Sequence, residues 1–156
     1  SIGRVPNIRP KESILSPRYN TLSKLNCILA SIEANKLGYD EGIMNDLNDN
    51  ISTCNSTNLF FIKNDKVLTS SGRYCLNGIT RGKVILICKK NNIECLETNF
   101  KFEDIKDCEE AFVTGTFAGI IPVSSLEGRK LESIKSDSFV NKIRMLYNKE
   151  IEEYII

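Results

Sequence analysis

Three polar clusters carry the side chains most able to do chemistry. Arg18-Tyr19-Asn20-Thr21 precedes a strongly helical stretch, Thr53 to Asn58 forms a Ser/Thr/Asn-rich loop between apolar runs, and Asn77-Gly78-Ile79-Thr80-Arg81 opens a second helical stretch. Thr114-Gly115-Thr116, at the end of a short apolar run, belongs with the third group. Junctions between elements are where binding groups are usually mounted. The third group suits an anion, because a helix start presents unpaired backbone N–H groups at the positive end of its dipole and threonine hydroxyls add donors. The same residues also serve as plain caps and turns, so local pattern leaves both readings open.

Composition narrows the chemistry further. There is no histidine and no tryptophan among the 156 residues, so imidazole triads and imidazole metal sites are excluded. Acid and base work falls to carboxylates, lysines, thiols, tyrosines or a cofactor. The six cysteines (Cys27, Cys54, Cys75, Cys88, Cys95, Cys108) contain no C-x-x-C pair, which removes zinc ribbons and thioredoxin motifs and reads them mostly as small buried hydrophobes; no metal site is expected. Lys plus Arg number 21 against 20 Asp plus Glu, so no whole-molecule field attracts nucleic acid or an anionic membrane. No window approaches the roughly 18 apolar residues of a membrane span and no signal-like run opens the chain. The expectation is a cytoplasmic protein with neither nucleic acid nor membrane as partner.

The elements that must hold these clusters follow from periodicity. Residues 1–17 hold three of the four prolines and read as an extended arm or short strand. From Thr21 to Leu37 the apolar residues Leu22, Leu25, Ile28, Leu29 and Ile32 recur at helical spacing before Gly38, which predicts a helix with that stripe as its packed face. Strand-like runs follow at Gly42 to Asn45, Asn50 to Thr53 and Asn58 to Lys63, and Asn64-Asp65 turns the chain into Lys66 to Thr69 as a hairpin. A second helix runs from Gly78-Ile79-Thr80 to Lys90 with Val84, Ile85, Ile87 and Cys88 near its apolar face. Ile93 to Thr98 alternates like a strand, Phe102 to Lys106 makes one helical turn, and Ala111 to Thr114, Gly119 to Ser124 and Glu127 to Leu131 are further strands. Val140, Ile143, Leu146, Tyr147 and Ile151 predict a closing helix over Ser138 to Tyr154. The sum is a mixed α/β domain with much antiparallel pairing.

Four ordered blocks sharpen the picture: Glu33-Ala34-Asn35-Lys36-Leu37-Gly38-Tyr39-Asp40-Glu41-Gly42, Ser52-Thr53-Cys54-Asn55-Ser56-Thr57-Asn58-Leu59-Phe60, Leu76-Asn77-Gly78-Ile79-Thr80-Arg81, and Thr114-Gly115-Thr116 with Ile120-Ile121-Pro122-Val123. In this order and spacing the chain resembles the class-IV aminotransferases, the fold-type IV pyridoxal-phosphate enzymes that include branched-chain and D-amino-acid aminotransferases and aminodeoxychorismate lyase. The resemblance covers about Ser16 to Leu131. It implies an α/β (α+β) fold with a mixed, largely antiparallel sheet or pseudo-barrel and flanking helices. It also implies a division into a lead-in, residues 1–17, from a missing N-terminal domain and a large domain over residues 18–156.

The resemblance further implies pyridoxal 5'-phosphate as cofactor, an amino acid and a 2-oxo acid as substrates, and a homodimer or a separate N-terminal domain as partner. By position, Gly78, Ile79, Thr80 and Thr116 would hold the cofactor phosphate, Leu76 would pack on the pyridine ring, and Asn58 would order the loop beneath it. Phe117 and Ala118 would meet the substrate carboxylate. Two positions depart from the pattern. The Schiff-base lysine falls at Asn20, whose amide nitrogen is no nucleophile, and the glutamate facing the pyridine nitrogen falls at Thr53, which cannot supply its charge. Lys24, four residues after Asn20, is the nearest alternative amine; a helix running through both would displace it by roughly 5 to 6 Å. The implied activity is amino-group transfer, with a lyase of the same fold or a non-catalytic scaffold domain as alternatives.

Overall fold

The computed structural model describes residues 1–153. In chain order the elements are β1 (Ile2–Ile8), α1 (Leu25–Lys36), β2 (Glu41–Asn45), β3 (Ile51–Cys54), β4 (Asn58–Lys63), β5 (Lys66–Ser70), α2 (Ile79–Lys90), β6 (Cys95–Thr98), α3 (Phe102–Ile105), β7 (Glu110–Gly115), β8 (Gly119–Pro122), β9 (Ser125–Leu126), β10 (Arg129–Lys130) and α4 (Phe139–Glu152). The strands form two five-stranded sheets, ordered β10-β9-β1-β2-β3 and β6-β5-β4-β7-β8. Five of the eight pairings are antiparallel. Of the three parallel ones, β1 with β2 and β5 with β6 have connections that contain α1 and α2, as a parallel crossover requires, and the third sets β1 beside β9. This is the mixed, largely antiparallel α/β architecture expected from the sequence.

Burial explains the layering. β4 hides both faces: Leu59 and Phe61 join a core with Ile2, Ile43, Val113 and Leu126 from both sheets, while Phe60 and Ile62 face Val84, Cys88, Val140 and Ile143 of α2 and α4. Its sequence is therefore a continuous apolar run rather than an alternating one. Phe60 stacks on Phe112 at 4.7 Å between centroids. A third, smaller core of Val5, Ala30, Ala34 and Met44 seats α1 on the outer face of the first sheet. The layers thus run α1, first sheet, second sheet, then α2 with α4. The hairpin between β4 and β5 turns on Asn64 and Asp65, both with positive φ, as a two-residue turn of this twist demands.

Residues 2–8 form β1, paired between β2 and β9, which is the short strand that the sequence offered as one of two readings. Several sequence-based expectations need correction. The first helix begins at Leu25 and not at Thr21: Lys24 N bonds Leu22 O at 2.9 Å in a tight local turn. Its expected apolar stripe faces outward, with Leu22, Leu25, Ile28, Leu29 and Ile32 all exposed. The packed face is instead Ala30 and Ala34. The cause is close approach: a side chain at Gly42 would lie 2.6 Å from Val5 Cγ1 and 3.2 Å from the Ala30 carbonyl, so small residues bring α1 onto β1 and β2. Glu127 to Leu131 is not one strand; Glu127 and Gly128, both at positive φ, form the turn between the two-residue strands β9 and β10. The expected end of the closing helix at Tyr154 lies outside the described residues. No helix among the described residues is long and apolar enough to cross a membrane.

Candidate functional site

The loop between β3 and β4 is held from below by one carboxylate. Glu41, at the start of β2, accepts from Ser56 Oγ at 2.5 Å and from Thr57 Oγ1 at 2.7 Å, while Asn55 Oδ1 accepts the Gly42 amide at 2.6 Å. Asn55, Ser56 and Thr57 therefore stand as a fixed wall rather than a free turn. That wall bounds a cleft of about 380 Å³ whose lining includes Arg9, Tyr19, Lys24, Cys27, Thr53, Asn58 and Leu76. Two cations and no carboxylate line it, so the cleft is built for an anionic guest.

Thr53 is 6% exposed and its Oγ1 donates to the Thr57 carbonyl at 2.8 Å. That carbonyl also accepts the Cys54 amide at 3.0 Å. The one hydrogen of the hydroxyl is thus spent on its own turn, and Thr53 can offer a guest only its lone pairs. Behind the wall, burial and the nearby Glu41 carboxylate push the Cys54 thiol well above its ordinary value, which keeps it a neutral core group.

Asn58 connects the cleft to the start of α2. It is 8% exposed, and its Nδ2 donates to the Leu76 carbonyl at 2.8 Å, fixing the loop that carries Leu76 into the cleft. A methyl group added at Gly78 would overlap Asn58 Oδ1, so only glycine lets this loop lie against the first residue of β4. No side chain caps α2, whose N-cap is Gly78; its first-turn amides remain available to an anion. Thr80 is buried just inside the helix, and Ile79 is exposed. Across the sheet Asn58 pairs with Thr114, whose buried Oγ1 has no hydrogen-bond partner among the described residues. Gly115 follows, where an added methyl would lie 3.7 Å from the Thr57 methyl.

The sequence-predicted residues are therefore brought together in part. Lys24, Thr53, Asn58 and Leu76 share the cleft lining. Gly78, Ile79 and Thr80 join through the Asn58 contact, and Asn20 joins through Lys24, whose Nζ donates to Asn20 Oδ1 at 2.7 Å. Thr116, Phe117 and Ala118 form the exposed turn between β7 and β8, and none of them lines the cleft. Sequence reasoning missed Arg9. Its guanidinium donates to the Tyr74 carbonyl at 3.2 Å, to Asn26 Oδ1 at 3.3 Å and to Cys27 Sγ at 3.0 Å, tying the end of β1 to α1 and to the Leu76 loop. The one available signal was a cation directly after Ile8, at the end of a stretch read as an arm or short strand.

The sequence profile of the family described as amino-transferase class IV matches residues 2–126. The chain is 34% identical over 133 residues to a putative branched-chain-amino-acid aminotransferase of Methanocaldococcus jannaschii, covering 84% of this chain and 46% of that protein. It is 35% identical over 125 residues to the branched-chain-amino-acid aminotransferase-like protein 2 of Arabidopsis thaliana, covering 80% of this chain and 22% of that one. Among solved structures, a branched-chain aminotransferase from Thermoproteus uzoniensis with norvaline superposes with a TM-score of 0.86 at 29% identity, over 95% of this chain and 50% of that one. An aminotransferase from Brucella abortus bound to the cofactor PLP gives 0.87 at 25%, over 96% and 53%. The chain spans half or less of the length of the curated relatives it matches.

Proposed function

The chain belongs to the class IV amino-transferase family, and from that premise we propose that its cleft binds pyridoxal 5'-phosphate in support of amino-group transfer between an amino acid and a 2-oxo acid. The observation that carries the reading is the single cleft shared by Thr53, Asn58 and Leu76 and coupled through Asn58 to the uncapped start of α2. The residues fit the group at its phosphate end. The cradle that only glycine permits at Gly78, the free first-turn amides and the unpartnered Thr114 hydroxyl are what a phosphate dianion uses.

In this reading Gly78, Ile79 and Thr80 hold the phosphate through backbone and hydroxyl donors, with Thr116 completing the set from the β7–β8 turn. Leu76 supports one face of the pyridine ring, and Asn58 keeps the Leu76 loop in place. The Phe117 and Ala118 amides receive the substrate carboxylate. When bound, the cofactor supplies an electron sink for bond changes at the substrate α-carbon. Residues 18–156 then act as a large domain, with 1–17 leading in, and a second domain or a second copy closes the cleft. The outward apolar face of α1 (Ile28, Leu29, Ile32) supports such a partner, and sedimentation of Ile28→Lys/Ile32→Lys against wild type tests it: loss of a dimer is expected, an unchanged monomer refutes it. The reading sets the protein in the cytoplasm.

Thermal melts with pyridoxal 5'-phosphate and with pyridoxamine 5'-phosphate test cofactor binding. Both raise the melting temperature if the cleft is the site; absence of any shift with either refutes it. A second reading, a non-catalytic member of the family, rests on one specific pair of features: the amide at Asn20 and the hydroxyl of Thr53 already spent on Thr57. It predicts cofactor binding without transamination, and measurable turnover of branched-chain amino acids with 2-oxoglutarate overturns it.

A further inference from the structure

Pyridoxal 5'-phosphate carries an aldehyde, and a protein retains such a group covalently only through a primary amine. The following inference rests on the reading that the cleft takes this cofactor. At the position where the family places its lysine the chain has Asn20, whose amide nitrogen is conjugated with its carbonyl and does not add to aldehydes. Among the residues lining the cleft, Lys24 carries the one primary amine. Its placement follows from where α1 begins. The helix starts at Leu25, and Lys24 at the N-cap has φ −98° and ψ 1°, outside helical geometry. No helix therefore runs through both Asn20 and Lys24 to hold them one turn apart on one face. Instead the side chain runs back along its own turn, and Nζ donates to Asn20 Oδ1 at 2.7 Å.

The surroundings leave this amine uncommitted. No carboxylate lines the cleft, and no ion pair engages Lys24 among the described residues. The other cation, Arg9, is occupied with Tyr74, Asn26 and Cys27. Thr53, Asn58 and Leu76 belong to the same lining. We propose that Lys24 is the amine that captures the cofactor aldehyde in this chain, and that Asn20, standing where the family's lysine would be, is its positioning residue. The step is a condensation with no oxidant or reductant. Lys24 Nζ, once its extra proton has gone to solvent, adds to the aldehyde carbon; the C=O bond is replaced by C=N, and the oxygen leaves as water with the two amine hydrogens. The imine nitrogen, on taking a proton back from solvent, carries one N–H for the same Asn20 acceptor.

Borohydride reduction of the full chain equilibrated with pyridoxal 5'-phosphate, followed by intact mass and peptide mapping, tests this directly, because reduction fixes the imine as a stable secondary amine. One pyridoxyl group concentrated on Lys24 is expected. Lys24→Arg keeps the charge but removes the reactive amine, and should abolish that adduct while the thermal shift with pyridoxamine 5'-phosphate, which has no aldehyde, persists. Asn20→Ala should slow labelling of Lys24; an unchanged rate overturns the positioning role. If pyridoxamine 5'-phosphate shifts the melt but Lys24 is labelled no more than the exposed Lys11 and Lys130, the Lys24 assignment fails and cofactor binding stands. If neither cofactor form shifts the melt and Lys24 takes no label, both fall together.

Discussion

Replacing Gly78 by alanine isolates the contact that joins the cleft to the start of α2. Gly78 has φ −62° and ψ 146°, a conformation alanine adopts freely, so the backbone term alone would favour alanine by about 0.4–1 kcal/mol. The new methyl, however, would overlap Asn58 Oδ1. Asn58 is 8% exposed and bonds the Leu76 carbonyl at 2.8 Å. Turning it away leaves the buried Asn58 amide unpaired, while the Leu76 carbonyl keeps the Gly78 amide as donor; the lost pairing costs about 1–3 kcal/mol. The net expectation is a loss of about 1–2 kcal/mol, read as the shift of a urea unfolding midpoint at unchanged slope. The decisive measurement is the double-mutant cycle. In an Asn58→Ala background the obstacle is gone, so Gly78→Ala should cost nothing or stabilise slightly, giving a coupling of about 1–3 kcal/mol. Equal costs in the two backgrounds would refute the assignment of Asn58 as the residue that demands glycine.

Three other outcomes follow from the same geometry. Phe60→Ala removes one member of the 4.7 Å stack with Phe112 from a fully buried site and should destabilise by about 3–5 kcal/mol in chemical denaturation; a loss below about 1 kcal/mol would mean that the second core does not depend on that pair. Burial pushes the Cys108 thiol from 9.0 up to about 11. The folded state thus holds this thiol protonated longer than the unfolded chain does, so its contribution is complete below pH about 9 and disappears as pH rises towards 11. Stability profiles of wild type and Cys108→Ala should accordingly diverge less above that window than below it, and parallel profiles contradict the burial argument. Restoring both family groups with Asn20→Lys and Thr53→Glu should raise transaminase activity above that of the unmodified chain, and equal activity in the two would show the substitutions to be catalytically silent.

How much of this was legible in the sequence depended on whether a residue's role was local. The hairpin at Asn64-Asp65 and the buried face of α2 (Val84, Ile87, Cys88) came straight from spacing, because turn chemistry and helical period are nearest-neighbour properties. Four of the six cysteines are fully buried, as their reading as small hydrophobes anticipates. The face of α1 went wrong because periodicity counts apolar residues without asking what they meet. The helix packs through Ala30 and Ala34 since Gly42 on β2 admits nothing larger, and that constraint sits in a different element. Arg9 was invisible for a similar reason: its partners lie 17, 18 and 65 residues away. The start of α2 was legible because a helix start is recognisable locally, whereas the Glu41 buttress beneath Ser56 and Thr57 is a contact across 15 and 16 residues.

The two halves of the cleft also differ in what a substitution can change. The proposed phosphate donors are backbone amides of α2, fixed by the Gly78 and Asn58 contact and by the sheet register that sets Asn58 opposite Thr114. Removing them means moving a helix packed through Val84, Ile87 and Cys88. The reactive end is made of single side chains on an irregular segment, residues 9–24, where the chain turns without a regular ladder. Exchanging one side chain there costs the fold little, since Asn20 and Lys24 are both exposed and surface changes usually stay within about 0.5 kcal/mol. A side-chain exchange in residues 9–24 therefore leaves the proposed phosphate cradle in place. That asymmetry gives the Lys24 labelling experiment its force: it interrogates the part of the site that the fold leaves free to change, against a phosphate end that the fold holds constant.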